Sequence, residues 1–432
     1  MLDHRSEREP GASRGEAGTL STTELVGGAG ELVGDVGERG GAGGADRWRR
    51  AWAAANRPWL VAVVAMAVGT AYVLGRLVVA AHGNIAAFVI AGRMYADPAR
   101  VPSGLPVRAG TGYDGEFYYR MALDPFDFAR RAFGIRMDSR SRFERIGYPF
   151  LSWLAAGGHA SAVPDAMVAV NLVALGGVGL AGGLLATDSG RHAWWGLVFP
   201  GYWGFLWSLG RDLTEITAAA FLLLGLWAYR RKRHLAAGLL LLGAVLSKET
   251  AVLPVAVLGI VSMVRPSGRT GVRRLLDPAW VVPAIGFCAW QVVVLAETGA
   301  LPLLRSGNQN LGIPFAGLAR ALDHYAHLLP STASLLWWSE LAILAAITVA
   351  VAWSWRASGA PLHERLAWVV AVALAVSVAV GIWLGDVGFR SLDTMFLFGW
   401  LVLLGTTRKL WLPGGVCALM WLVVAVELVR FI

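Results

Sequence analysis

PWLVAVVAMAVGTAYVLGRLVVAA, residues 58–81, is the first long apolar segment of the chain. It contains a single charged side chain, and a helix of this length crosses the roughly 30 Å of hydrocarbon in a bilayer. Basic residues ahead of a span favour a cytoplasmic start, and this segment follows Arg47, Arg49, Arg50 and Arg57. The segment therefore predicts a membrane-spanning helix that begins in the cytoplasm.

Ten further apolar segments bring the predicted number of transmembrane helices to about eleven. They cover about 163–186, 193–209, 212–229, 234–247, 250–264, 278–297, 333–353, 366–384, 391–407 and 410–429. The composition agrees, because 56% of the 432 residues are hydrophobic and only 16% are charged, whereas soluble domains carry about 25% charged residues. The sequence thus predicts an all-α polytopic membrane protein.

Charge and cysteine content exclude several other classes of protein. The net charge is +9, but the basic residues form short clusters between apolar segments, a pattern that sets membrane orientation. We therefore expect the lipid bilayer, and not nucleic acid, as a partner. Cys288 and Cys417 both lie within apolar segments, which excludes a disulfide framework and a zinc site. The sequence also lacks a P-loop and the strand–helix alternation of a nucleotide-binding domain.

The chain divides into a polar tail and a membrane domain. Residues 1–46 are rich in Gly, Glu, Arg and Ser and contain no aromatic residue, which predicts a disordered cytoplasmic tail. The membrane domain covers residues 47–432 and includes two long loops, 82–162 and 298–332, which we place outside the cytoplasm. We interpret the apolar residues 148–158 as a short helix against the outer membrane face, because a span here would reverse every later orientation.

Two short apolar segments, 234–247 and 250–264, predict a hairpin. Basic clusters at residues 230–233 and 265–274 flank the pair. If both clusters are cytoplasmic, the chain must cross outward and return, with a turn at residues 247–250. The alternative is one long tilted helix.

The first loop carries an acidic motif at residues 112–120, GYDGEFYYR. Asp114 lies where the backbone can turn sharply, and a carboxylate held there can accept a proton from a hydroxyl nucleophile. Glu116 could assist Asp114 or bind a metal ion. The alternative is that Asp114 only caps a helix that starts near Glu116.

Three arginines follow in the same loop, at Arg140, Arg142 and Arg145. The guanidinium group binds phosphate oxygens in pairs, so this cluster suits a phosphate or diphosphate. The alternative is contact with lipid headgroups.

Seven further charged residues lie at the predicted outer ends of spans. They are Arg211, Asp212, Glu215, Lys248, Glu249, Arg390 and Asp393. Each group could be a local ion pair between helices. Charges near the hydrocarbon are costly and usually functional, so their placement on one side favours a shared site.

This arrangement resembles the GT-C superfamily of integral membrane glycosyltransferases. Residues 113–118, YDGEFY, are similar to the W/Y-D-G-x-x-Y loop of the PIG-V-like mannosyltransferases, in which an apolar Tyr-Pro helix also follows. Here the corresponding residues are 148–151, YPFL. The turn at residues 248–250, KET, is similar to Arg/Lys-Glu-Thr turns in bacterial members of the group.

The resemblance implies a GT-C-like fold and an inverting sugar transfer on the extracytoplasmic face of a bacterial plasma membrane. The donor would be a polyprenyl-phosphate-linked sugar, and the acceptor a glycan, lipid or protein. Asp114 aligns with the catalytic base of the family, assisted by Glu116. Candidates for binding the donor phosphate are Arg145, Arg211, Lys248 and Arg390, with Tyr113, Tyr118, Asp212, Glu215 and Glu249 in support. A divalent cation, Mg²⁺ or Mn²⁺, is left open as a cofactor.

Two other function classes remain open on the sequence alone. A transporter or flippase of lipid-linked saccharides would use similar cations, but alternating access normally places polar groups near mid-membrane or on both faces. The predicted span centres are almost uniformly apolar. A non-catalytic scaffold for envelope assembly is the other alternative.

Overall fold

The computed structural model describes residues 47, 50–264, 275–385 and 388–431. The tail predicted for residues 1–46 and the basic cluster at 265–274 lie outside the described residues. The chain separates into two units, residues 1–53 and 54–432. The helical bundle belongs to the second unit.

Helices dominate the second unit. The first eight α-helices are α1 Pro58–Val79, α2 Gly115–Leu123, α3 Gly147–Ala155, α4 Val163–Asp188, α5 Trp203–Leu209, α6 Glu215–Arg230, α7 His234–Ser247 and α8 Val252–Val264. They are followed by α9 Pro278–Thr298, α10 Pro302–Asn310, α11 Ala316–His327, α12 Thr332–Ser354, α13 Leu362–Ser377, α14 Val380–Leu384, α15 Asp393–Leu404 and α16 Trp411–Phe431.

Short 3-10 helices and strands complete the described part. The 3-10 helices are Ile85–Val89, Arg140–Glu144, Ala160–Ala162, Ala193–Val198, Glu249–Ala251, Trp355–Ala357 and Gly388–Leu392. Strands β1 Ala91–Gly92 and β2 Val107–Arg108 pair in parallel, with Ala91 opposite Val107. Strands β3 Arg131–Ala132 and β4 Ile135–Arg136 form an antiparallel pair, with Arg131 opposite Arg136.

The protein is a helical membrane protein, but the predicted number of about eleven spans is wrong. Within the described ranges, four helices are long and apolar enough to cross a membrane: Pro58–Val79, Ala160–Asp188, Pro278–Thr298 and Thr332–Ala357. Other predicted segments form shorter helices, such as α8 with 13 residues and α15 with 12. Apolar content alone therefore overestimated how far these helices extend.

Breaks in the backbone explain part of this difference. The predicted span at 193–209 is divided between the 3-10 helix Ala193–Val198 and helix α5. Pro200 and Gly201 lie between them, and a Pro-Gly pair is a strong interruption of helical structure. The segment 366–384 is likewise divided, because α13 ends at Ser377 and α14 begins at Val380.

Helices pack side by side in a continuous series of neighbours, α1–α4–α6–α7–α9–α8–α13–α15–α12–α16. Gly238 in α7 and Gly259 in α8 both lie against the start of α9. A Cβ atom at Gly238 would be 2.2 Å from the carbonyl oxygen of Pro278, and one at Gly259 would be 3.2 Å from Trp280 Cγ. Gly238 and Gly259, each about ten residues from the turn, therefore meet the same end of α9, which confirms the predicted hairpin.

The first long loop folds into a unit with its own apolar core. Helix α2 contributes Phe117, Tyr118 and Met121 to this core, and the start of α4 contributes Met167. Helix α3 is too short to span a membrane, so the prediction of a short helix at residues 148–158 is confirmed. Because α2 and α3 pack on each other and on α4, the acidic motif is held against the helical bundle.

Candidate functional site

Helix ends and loop segments meet around a cavity of about 280 Å³. Six of the predicted site residues line it: Asp114, Arg145, Glu215, Lys248, Glu249 and Arg390. They come from the start of α2, the loop before α3, the start of α6, the α7–α8 turn and the 3-10 helix before α15. The structure therefore brings these six predicted positions together at one cavity.

The backbone at Gly115 explains how Asp114 reaches the cavity. A Cβ atom at Gly115 would lie 2.2 Å from the carbonyl oxygen of Arg211 and 2.9 Å from that of Val89. Only glycine permits this close approach, because both obstacles are backbone atoms. The Asp114 side chain makes no capping hydrogen bond to α2, so it is not held as a helix cap.

Asp114 instead joins two guanidinium groups. Its Oδ1 lies 2.9 Å from Arg142 Nη2, and its Oδ2 lies 2.8 Å from Arg390 Nη2. Burial alone would raise the pKa of this carboxyl, but the two guanidinium groups outweigh burial and hold the pKa well below its ordinary value. Asp114 is therefore ionised at neutral pH.

The ion pairs continue beyond Arg390 as a series of alternating charges. Arg390 Nη1 is 2.5 Å from Glu215 Oε1, and Lys248 Nζ is 3.8 Å from the same oxygen. Lys248 Nζ also donates to both oxygens of Asp393, at 3.1 and 3.2 Å. Together with Arg142 and Asp138, which are 2.9 Å apart, these residues form what we call the ion-pair chain: Asp138, Arg142, Asp114, Arg390, Glu215, Lys248 and Asp393.

A second ion pair lies beside this chain. Arg145 binds Glu249 in a bidentate manner, with Nε to Oε2 and Nη2 to Oε1 both at 2.6 Å. Its Nη1 donates to the Tyr118 hydroxyl at 2.8 Å. The predicted supporting residues Tyr118 and Glu249 thus fix the orientation of Arg145.

Glu116 does not line the cavity, contrary to its predicted role beside Asp114. Its Oε2 accepts the backbone N–H of Gly92 at 3.0 Å, and the residue is 1% exposed. Burial raises the pKa of Glu116 to about 7. Glu116 therefore ties the acidic motif to strand β1, so its role is positioning.

Arg211, Asp212 and Tyr113 also lie outside the cavity lining. The Arg211 guanidinium stacks over the Trp207 ring at 4.5 Å and over the Tyr113 ring at 5.2 Å. Asp212 is fully buried, 3.5 Å from the Tyr148 hydroxyl. The structure therefore does not bring Arg211 to a donor phosphate in this cavity, because aromatic rings hold it elsewhere. Tyr113 nevertheless packs against Arg390, whose guanidinium lies 5.4 Å from its ring centre.

Several cavity residues were missed, or only partly anticipated, from the sequence. Arg142 was included only in a group of three arginines, and of that group Arg140 turns away to donate to the carbonyl of Thr298. Glu144, Ser141, Ser306, Gln309 and Asn310 were not anticipated. The spacing of Ser306, Gln309 and Asn310 could have revealed a polar helical face in the second loop.

Within the described ranges, no group of three or more His, Cys, Asp or Glu side chains is arranged to hold a metal ion. A divalent cation therefore stays a prediction.

Comparison of the chain with protein-family models, curated proteins and solved structures found no match. Since a fold alone does not specify a function, function here is argued from the chemistry of the cavity.

Proposed function

We propose that this chain is a GT-C-like membrane glycosyltransferase that moves a sugar from a polyprenyl-phosphate donor to an acceptor hydroxyl. The observation that carries the proposal is the convergence of a partly buried carboxylate, Asp114, with several cations in one cavity. Asp114 and Arg390 are 276 residues apart in the chain and still form an ion pair there. Arg145 and Lys248 line the same cavity, so a base and phosphate-binding groups are close together.

Asp114 is the proposed general base. The acceptor O–H gives its proton to Asp114 while the acceptor oxygen forms a bond to the anomeric carbon. The bond from that carbon to the phosphate oxygen breaks, and the phosphate leaves with the electron pair. Since the pKa of Asp114 is depressed, proton transfer is favourable only as bond formation makes the attacking hydroxyl more acidic.

Proton transfer to Asp114 also explains how a site with paired cations can stabilise a departing phosphate. A protonated Asp114 loses the charge that holds Arg142 and Arg390. Both guanidinium groups can then pair with the phosphate as its negative charge increases. The network thus couples activation of the nucleophile to stabilisation of the leaving group.

The remaining walls suit a lipid-linked substrate. Leu374, Val378 and Ile382 line the cavity together with the charged groups. An apolar wall next to a phosphate site accommodates a polyprenyl chain. We place the reaction at the extracytoplasmic face of a bacterial plasma membrane, and the acceptor is a glycan, a lipid or a protein.

The test compares Asp114→Asn with a matched Asp138→Asn variant in a strain that lacks the gene. Each substitution removes one carboxylate partner of Arg142, but Asp138 does not line the cavity. We expect Asp114→Asn to reduce transfer about 10² to 10⁴-fold, as loss of a general base does. Asp138→Asn should retain transfer within about threefold.

Mass spectrometry of lipid-linked and envelope glycans measures the outcome. The polyprenyl-phosphate sugar should accumulate and its product should be lost with Asp114→Asn, at the same amount of folded protein. Wild-type levels of product from Asp114→Asn would remove this residue from the mechanism and with it the proposed reaction.

A further inference from the structure

One wall of the cavity carries mainly neutral polar groups. Helix α10 presents Ser306, Gln309 and Asn310 to the cavity, and their i, i+3 and i+4 spacing places them on one helical face. Glu144, from the 3-10 helix Arg140–Glu144, lines the cavity beside Ser306. We call Glu144, Ser306, Gln309 and Asn310 the polar wall.

Two buried polar atoms at or beside this wall lack a hydrogen-bond partner among the described residues. Glu144 is 1% exposed, and among the described residues its Oε2 has no hydrogen-bond partner. The same holds for Nε2 of Gln291, a neighbour of Glu144 that is 5% exposed. Since buried polar atoms are almost always hydrogen-bonded, a ligand group that both donates and accepts would satisfy Glu144, which lines the cavity, whereas Gln291 lies next to Glu144 and outside the cavity lining.

The ionisation of Glu144 strengthens this interpretation. Burial and the nearby Glu249 carboxylate raise the pKa of Glu144 to about 8, against the opposing effect of Arg145. At neutral pH its carboxyl group is therefore mostly protonated and can donate as well as accept a hydrogen bond. Glu144 adds no net charge to the polar wall, so the wall does not select for ions.

We infer that the polar wall is a subsite for the hydroxyl groups of a sugar ring. The inference rests on the proposed function and deepens it, because it assigns the sugar and the phosphate to different walls. Phosphate oxygens only accept hydrogen bonds at neutral pH and favour Arg142, Arg390 and Lys248. Sugar hydroxyls donate and accept at once, as do hydroxyl, amide and protonated carboxyl groups. The ring belongs to the donor or to the acceptor.

Saturation-transfer NMR on the full-length protein in nanodiscs tests this subsite without requiring any turnover. The probes are free mannose, glucose, galactose and arabinose, each titrated to millimolar concentrations. We expect saturation transfer to at least one of these sugars, and a Kd about fivefold higher in Glu144→Ala and Asn310→Ala, since each removes a hydrogen bond.

The matched control is Asn308→Ala. Asn308 is an exposed amide on the same helix, two residues from Asn310, and does not line the cavity. Sugar binding should be unchanged in this variant. The absence of saturation transfer to all four sugars in the wild type would overturn the inference, as would equal binding by Asn310→Ala and Asn308→Ala.

A competition experiment assigns the ring to donor or acceptor. A farnesyl-phosphate-linked form of the bound sugar should displace the free sugar if the donor ring occupies the polar wall, and should leave it bound if the acceptor ring does. Farnesyl phosphate alone should displace nothing, and displacement by it would overturn the separation of the two walls. Because no step needs transfer, binding that persists without any transferase activity would refute the proposed reaction and keep the subsite.

Discussion

Helix α6 carries a charge near each end, one buried and one largely buried, and the two charges are held in different ways. At its start, Glu215 is shared between Arg390 and Lys248 and lines the cavity. At its end, Arg230 binds Glu364 of α13 in a bidentate manner, at 2.6 and 2.5 Å. Glu364 is completely buried.

The difference separates charges that hold helices together from charges that are available to a ligand. The Arg230–Glu364 pair is bidentate and lies outside the cavity lining, so the loss of either residue leaves a charge without its main partner and frees nothing for a ligand in the cavity. In the ion-pair chain each inner member has two partners, and an incoming group can replace one of them while the other remains. We therefore expect substitutions at the cavity end of α6 to affect activity more than substitutions at the Arg230 end do.

A large effect on stability is expected from Glu364→Ala. This substitution leaves Arg230, whose side chain is only 12% exposed, without its bidentate carboxylate and with only the Ser189 hydroxyl and the nearby Asp188 charge in its place, which costs about 3 kcal/mol. The measurement is the unfolding free energy in detergent. The control is Arg231→Ala, which removes the neighbouring and more exposed pair with Asp188 and should cost less than about 1 kcal/mol. Equal losses of unfolding free energy in the two variants would show that the bidentate Arg230–Glu364 pair stabilises the protein no more than the exposed pair does.

Lys248→Met, next to Glu215 at the other end of α6, should affect transfer more than stability. Glu215 keeps Arg390, whereas the buried Asp393 loses its cation and keeps hydrogen bonds from Thr394, with the backbone N–H at 2.8 Å, so we expect a stability loss of about 3 kcal/mol, at the low end for a stranded buried charge. Transfer should fall about 10² to 10³-fold, because a cation that stabilises the transition state is lost. Unfolding in detergent and glycan analysis measure the two quantities on the same protein. Wild-type transfer by the folded variant would show that Lys248 acts mainly in folding.

The convergence of the charged positions could be predicted because each lies at a helix end, and the direction in which each helix runs decides on which side of the bundle that end lies. Lys248 and Asp393 lie at helix ends that follow from apolar segments and basic clusters. Helix lengths could not be predicted in the same way, since a Pro-Gly pair such as Pro200-Gly201 interrupts an apolar segment without making it less apolar.

The separate roles of Asp114 and Glu116 could not be derived from sequence. Asp114 and Glu116 are two residues apart at the start of α2, so their side chains point about 200° apart around the helix axis. Only the tertiary contacts decide which of the two meets the cations. The partner of Glu116 is a backbone N–H at Gly92, which has no signature in sequence. The polar face of α10 was missed for a related reason, because residues 298–332 were predicted only as a loop.

Gly115→Ala tests whether the acidic motif depends on backbone contact at the cavity end. Its Cβ atom would meet the carbonyl oxygens of Arg211 and Val89, and overpacking of this kind costs about 1–3 kcal/mol. Transfer should also fall, since Asp114 is displaced from its two guanidinium groups. Gly307→Ala in α10 is the control, because a Cβ atom there meets nothing within 4 Å. It should be neutral or stabilise by up to about 1 kcal/mol, and a similar loss for both variants would show that close backbone approach at Gly115 is unimportant.

The smallest effect concerns the pH dependence of stability and arises at the cavity end, from Glu144. The pKa of Glu144 is about 8 in the folded protein and has an ordinary value of 4.5, so between these values the folded state holds a proton that the unfolded state releases. Stability should therefore fall as pH rises from 6 to 7, by about 1 kcal/mol from this group. Glu144→Gln should remove that contribution, whereas Asp323→Asn, at a carboxylate that is 78% exposed, should retain it. Unfolding measured at both pH values gives the slope for each protein. An unchanged slope in Glu144→Gln would mean that Glu144 is ionised in the folded state, and the polar wall would then carry a negative charge that disfavours a phosphate-linked donor nearby.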